Sequence, residues 1–164
     1  MTTVVAGKIA PDFTLTDLQG KQHSLTAALQ KGPVALAFFK ISCPVCQYAL
    51  PFLERIHQAY GSEKVTVLGI SQDDARDTRD FCKEYGLTFP ALMDEEGYPV
   101  SNLYGLTNVP TLILVRPGGR VKLGGHGFSK RDLETVAREL AAASGKPVEP
   151  VFKPGEAVPD YKPG

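Results

Sequence analysis

The chain has 164 residues, enough for one domain with a buried core and cramped for two. Hydrophobic residues make up 43% and charged residues 22%, a globular composition that rules out disorder throughout. Lys plus Arg and Asp plus Glu both number 18, so the formal net charge is zero, and no basic run offers a footprint for nucleic acid or an anionic membrane.

In chain order, Phe13 to Leu25 reads as a β-hairpin turning at Asp17–Gly20, and Ser24 to Gln30 as a short helical stretch. The apolar run 33–39 has the character of a strand covered on both faces. Pro44 to Tyr60 is helical, with Leu50, Leu53 and Ile56 at core spacing and Gly61 as a stop. Pro51 falls inside this helix, where a kink is expected. Val65 to Ile70 is a second buried strand. Ser71 to Asp74 fits a capping box for a helix running to Tyr85 and ended by Gly86. A short extended stretch at 89–93 and a short helix at 98–104 follow. Thr111 to Val115 is a third strong strand, turned by Pro117-Gly-Gly119 into a hairpin arm at 120–123. Ser129 then caps a final helix with Leu133, Val136, Ala137 and Leu140 on one face. Residues 145–164 carry five of the 13 prolines and no periodicity, and are expected to be a polyproline-like or disordered tail draped on the surface. The predicted organisation is one domain over 1–143 with a Pro-rich tail at 144–164. Alternating strands and helices predict an α/β fold with a mainly parallel central sheet and an antiparallel hairpin edge.

No apolar run reaches the ~20 residues that a membrane span needs. Met1 to Lys8 lacks the charged and apolar regions of a signal peptide, so the sequence as written reads as cytoplasmic, or periplasmic if a leader has been removed.

Three cysteines are too few for a disulfide scaffold, and two of them form Cys43-Pro44-Val45-Cys46. The pair falls just past the carboxyl end of a strand and opens a helix, where chemistry in α/β sheets collects. Cys43 is placed to cap the helix and Pro44 to occupy its first position. The following N–H groups and the positive helix end would then stabilise a thiolate on Cys43. Cys46, one turn in, is placed to resolve a mixed disulfide. Zinc is disfavoured: His23, His57 and His126 are scattered and no second Cys pair exists. No metal and no cofactor are expected. Cys82 reads as a half-buried packing residue, with a redox partner for another chain as the alternative, His57 as a surface or packing residue, and the charged stretch from Asp73 to Asp80 as a solvated helix face.

These residues resemble the thioredoxin superfamily, in its TlpA/ResA-like and AhpC/TSA (redoxin) branch. The likeness is carried by Ala10-Pro-Asp-Phe-Thr-Leu15, Phe38 to Cys46, Val67-Leu-Gly-Ile-Ser71, Asn108-Val-Pro-Thr111 and Pro117-Gly-Gly-Arg-Val121, and covers about residues 5–143. It implies a thioredoxin-like fold with a central mixed sheet, an N-terminal hairpin and a central α/β insertion between 72 and 93. It implies a thiol–disulfide oxidoreductase working on protein disulfides or thiols, coupled to an upstream reductant or oxidant; a monomer is expected. It makes Cys43 and Cys46 the catalytic pair, Val109–Pro110 a cis-proline loop beside them, and Val109, Pro110, Pro44 and Val45 the substrate-binding set. Three positions depart from the pattern. Ser42 stands where thioredoxins carry Trp, Ala37 where a buried Asp is common, and Ala49 where ResA-like proteins place Glu. The proton acceptor for Cys46 is therefore not the familiar carboxylate. A peroxiredoxin-type peroxidase is the alternative reading, yet Cys43 occupies that branch's peroxide-binding Thr position and Phe39 its Pro. A non-enzymatic redox-sensing module is the third.

Overall fold

The computed structural model describes residues 4–164; the first three residues of the N-terminal stretch read above lie outside it. β1 (Thr14–Thr16) and β2 (Gln22–Ser24) form the N-terminal hairpin, and α1 (Leu25–Leu29) follows with Ser24 as its cap. β3 (Val34–Phe39), α2 (Pro44–Tyr60), β4 (Thr66–Ser71), α3 (Ala75–Tyr85), β5 (Ala91–Met93) and α4 (Pro99–Leu103) alternate. β6 (Thr111–Val115), β7 (Val121–His126), β8 (Phe128–Ser129), α5 (Lys130–Ser144) and β9 (Tyr161–Lys162) complete the chain.

The central sheet has the order β5-β4-β3-β6-β7. β3 pairs parallel with β4, and β4 with β5, while β6 runs antiparallel to both β3 and β7. The sheet is thus evenly mixed rather than mainly parallel. After β5 the chain passes through the short α4 and enters β6 at the edge of the sheet where β3, β4 and β5 end, so β6 runs against β3.

Every residue of β3 is buried, as its unbroken apolar run requires of a strand sandwiched on both faces. Alternation along it divides the core in two. Ala35, Ala37 and Phe39 face the side covered by α2, α3 and α5; Val34, Leu36 and Phe38 face the side that holds Phe13, Leu25, Val100 and Tyr104.

Two local expectations are corrected. The cap of α3 is Asp74, whose Oδ1 accepts from Asp77 N at 2.8 Å, and not Ser71. Ser71 ends β4, and its hydroxyl meets the buried Thr78 hydroxyl at 2.7 Å. The charged stretch is not uniformly solvated either, because the Asp73 carboxylate turns back to accept from Ile41 N at 2.8 Å.

Residues 145–164 fold back over the molecule. Val151 is buried, Phe152 packs tilted on Phe52 and edge-on to Phe128, and the Arg55 guanidinium forms two 2.8 Å bonds to Glu156 and one of 3.0 Å to Val151 O. β9 then pairs antiparallel with β8.

Candidate active site

The site is built where β3 delivers the chain into α2. Cys43 takes extended backbone angles as the N-cap, Pro44 opens the helix, and the Cys46 N–H donates to Cys43 Sγ at 3.2 Å. The sulfur therefore does what a Ser or Asp oxygen does at other helix starts: it accepts from one of the first, otherwise unpaired, N–H groups. Cys43 is half-buried and Pro44 exposed, while Cys46 is fully buried. Burial first, and then the contact with Cys43, push the Cys46 thiol well above the ordinary range, and the charge of Asp73 acts in the same direction. The two sulfurs are thus chemically unequal: one is reachable from outside, and the other is held as a buried thiol.

The loop ahead of Cys43 is clamped from two sides. Ile41 N donates to Asp73, and the Gln47 side chain donates to Ile41 O at 2.9 Å. Lys40 O accepts from Cys43 N at 3.2 Å. Sequence alone points to neither Asp73 nor Gln47 as part of the site, because the first contact spans 32 residues and neither residue belongs to the Cys43–Cys46 or Val109–Pro110 motif.

Val109 and Pro110 come to the same place from the neighbouring strand, just ahead of β6. The Val109–Pro110 bond is cis, and Val109 O lies 3.6 Å from Cys43 Sγ, positioned to accept from it. The loop is tied to β6 by Thr111 Oγ1, which donates to Asn108 O at 2.8 Å. Cys43, Cys46 and the 109–110 loop therefore converge across 66 residues of sequence, with half-buried Val45 on the next position of α2.

Behind Pro110 a small cavity is lined by Ala37, Ala49, Leu53, Thr111 and Asp132 among others. Two of the carboxylate positions noted above are therefore methyl groups facing this space. Asp132, in the first turn of α5, contributes a carboxyl there, and burial raises it above its usual value against the opposing Ser129 contact. Cys82 lies apart, on α3 among Phe81 and its neighbours; burial, and then the charge of Glu54, push its thiol up to about 11. His57 is half-buried edge-on to Phe89, with Nδ1 lacking a hydrogen-bond partner among the described residues.

The AhpC/TSA family model matches residues 6–123. The thiol-disulfide oxidoreductase ResA of Geobacillus thermodenitrificans is 34% identical over 122 residues, covering 74% of this chain and 69% of that protein. The ResA of Geobacillus kaustophilus is 33% identical over 135 residues, covering 81% and 76%. Among solved structures, one named as a putative thiol:disulfide interchange protein, DsbE, from Chlorobium tepidum superposes with a TM-score of 0.75 at 26% identity, over 87% of this chain and all of that one. No helix among the described residues is long and apolar enough to cross a membrane.

Proposed function

We propose that this chain, which belongs to the AhpC/TSA family and is a thioredoxin-fold thiol–disulfide oxidoreductase, carries out its exchange through Cys43 and Cys46. The observation that carries this reading is the inequality of the two sulfurs. The Cys43 sulfur is reachable, receives the Cys46 N–H and lies against the Val109 carbonyl; the Cys46 sulfur is buried behind it.

As a reductant, Cys43 in its thiolate form attacks one sulfur of a substrate disulfide. A Cys43–substrate disulfide forms and the other substrate sulfur leaves as a thiolate. Cys46 then loses its proton and attacks Cys43 Sγ. The Cys43–Cys46 disulfide forms, the second substrate thiolate leaves, and two electrons have passed to the substrate. An upstream dithiol restores the pair by the reverse sequence; running the cycle backwards oxidises a substrate dithiol. A reduction potential near roughly −270 mV would assign the reductant direction and one near roughly −120 mV the oxidant direction.

Val109 and Pro110, with Pro44 and Val45 opposite, would hold an extended stretch of the protein substrate beside Cys43. The half-buried Val109, whose carbonyl lies against Cys43 Sγ, and the exposed Pro44 support that role. We take the enzyme to act as a monomer, which sedimentation would check.

The test is one variant in two assays. Cys46→Ser mixed with insulin should accumulate a stable mixed disulfide through Cys43, and the parent protein should reduce insulin with dithiothreitol as the reductant. Hydrogen peroxide given with a thiol should be consumed slowly. Fast peroxide turnover that vanishes in Cys46→Ser, with no complex trapped on Cys43, would transfer the assignment to a peroxidase centred on Cys46.

A further inference from the structure

The tail reaches the catalytic centre. β9 pairs with β8 in the register Phe128 to Lys162 and Ser129 to Tyr161, and Lys130 N donates to Asp160 O at 3.0 Å. The Lys162 ammonium lies 4.9 Å from the centre of the Tyr48 ring, on the same helix as Cys43's partner Cys46. Gly127 is pressed so closely that a Cβ on it would collide with Lys162 O and stand 3.2 Å from Gly164 N. Gly164 itself sits on the cis-proline loop. A Cβ built there would collide with Val109 O and stand 3.0 Å from Asn108 Nδ2. Val109 O is the same atom that faces Cys43 Sγ at 3.6 Å.

We propose that residues 161–164 are an internal competitor for the substrate segment, laid on Val109 and β8 and displaced when a protein disulfide reaches Cys43. The inference rests on the exchange reading above, in which an extended substrate is held along Val109. The two claims on that surface are exclusive: one backbone already lies in contact with the Val109 carbonyl, and a second cannot share it. The competitor is built to yield. Its ladder is two residues long, and so short a pair is marginal in water without support. Beyond the close backbone approaches at Gly127 and Val109, its side-chain ties among the described residues are the Lys162 ammonium over the half-buried Tyr48 ring and a 3.5 Å approach of Tyr161 Oη to His126 Nδ1. The firm anchors lie earlier, at Val151, Phe152 and Glu156. A strap fixed at 151–156 and loose at 161–164 can lift without unfolding the domain.

If the covered form predominates by about ten to one, the apparent affinity for a protein substrate is reduced about tenfold. The test uses the full chain carrying Tyr161→Ala together with Lys162→Pro, which removes the β9 ladder and the contact on Tyr48. Two substrates are compared: insulin, which must lie along the groove, and the small disulfide 5,5′-dithiobis(2-nitrobenzoate), which need not. The expected result is a rise of about tenfold in kcat/KM for insulin, carried by KM, with less than about a twofold change for the small disulfide. Three outcomes overturn the proposal. Unchanged insulin kinetics would mean the segment does not compete. A fall would make it a wall of the substrate site. An equal rise for both substrates would mean it acts on Cys43 rather than on the groove. Failure of the exchange reading looks different: neither the parent nor the variant would then reduce insulin, and Cys46→Ser would trap nothing.

Discussion

At the scale of single residues, reactivity is sorted by burial more than by sequence position. Cys43 is the half-buried member of the three cysteines; Cys46 has no exposure and Cys82 has 8%. Alkylation of the reduced protein at pH 8, followed by mass mapping, should therefore modify Cys43 first. Cys82 should follow only as the pH is raised toward about 11, since the thiolate fraction of a group pushed up by burial grows as pH rises. Labelling of Cys82 ahead of Cys43 would contradict this order. The residues of the pair were legible in sequence because their chemistry is local: a Cys cap, Pro at the first helical position and a second Cys one turn on all lie within four residues. Asp73 against Ile41 and Gly164 against Val109 were not legible. Each is a contact between segments whose meeting depends on the whole topology.

At the scale of elements, the strands and helices follow their apolar periods; the sheet's mixed direction and the cap of α3 were misread, the second because its polar residues have two available partners. Ser71, Asp73 and Asp74 could each begin a helix; which one does so depends on where β4 ends. Because Ser71 is the last residue of β4, its hydroxyl is turned inward to Thr78, and the cap passes to Asp74. Asp74→Ala should cost about 1 kcal/mol in denaturant unfolding, the usual loss of a cap. Glu54 shows how a buried carboxylate ties elements together. From α2 it accepts from Thr88 N at 2.8 Å, Thr88 Oγ1 at 2.6 Å, Gln58 Nε2 at 2.6 Å and Phe89 N at 3.3 Å, fixing the segment ahead of β5. Burial alone would raise its pKa, but these bonds outweigh it and hold the carboxyl below its usual value of 4.5. A carboxylate depressed in the folded state adds stability above its unfolded pKa and loses it as the pH falls through the folded one. Glu54→Gln should therefore cost about 1.5–3 kcal/mol at pH 7, and the gap to the parent should narrow once the pH falls below about 4. A gap that stays constant from pH 7 to pH 3 would show that the charge contributes nothing.

At the scale of the molecule, the doubly covered sheet was readable from alternation and from the unbroken run of β3. The tail was not readable in the same way. Pro-rich sequence without periodicity carries no signal of what it will lie against, and the aromatic and aliphatic anchors at Val151 and Phe152 enter the apolar cluster over α2 and α5 only once the fold exists. Those two divide the strap into halves with different duties. Phe152 stands 5.0 Å from the Phe52 ring and 6.2 Å from that of Phe128, with the Lys130 ammonium 5.4 Å from its own centre. It is half-buried, so Phe152→Ala should remove part of the roughly 1.5–3 kcal/mol that full burial of such a ring supplies, about 1–2 kcal/mol. For a chain of this size that lowers Tm by roughly 2–8 °C. The Tyr161 and Lys162 changes, made on a two-residue ladder outside the 151–156 anchor, should lower Tm by no more than about 2–4 °C together, because surface substitutions stay within roughly 0.5 kcal/mol each. Thermal unfolding of the two variants side by side separates the duties. A Phe152→Ala protein as stable as the parent would mean that the 151–156 anchor adds nothing to the core. An equally large fall from the 161–162 changes would mean that the strap melts with the domain and cannot lift from it.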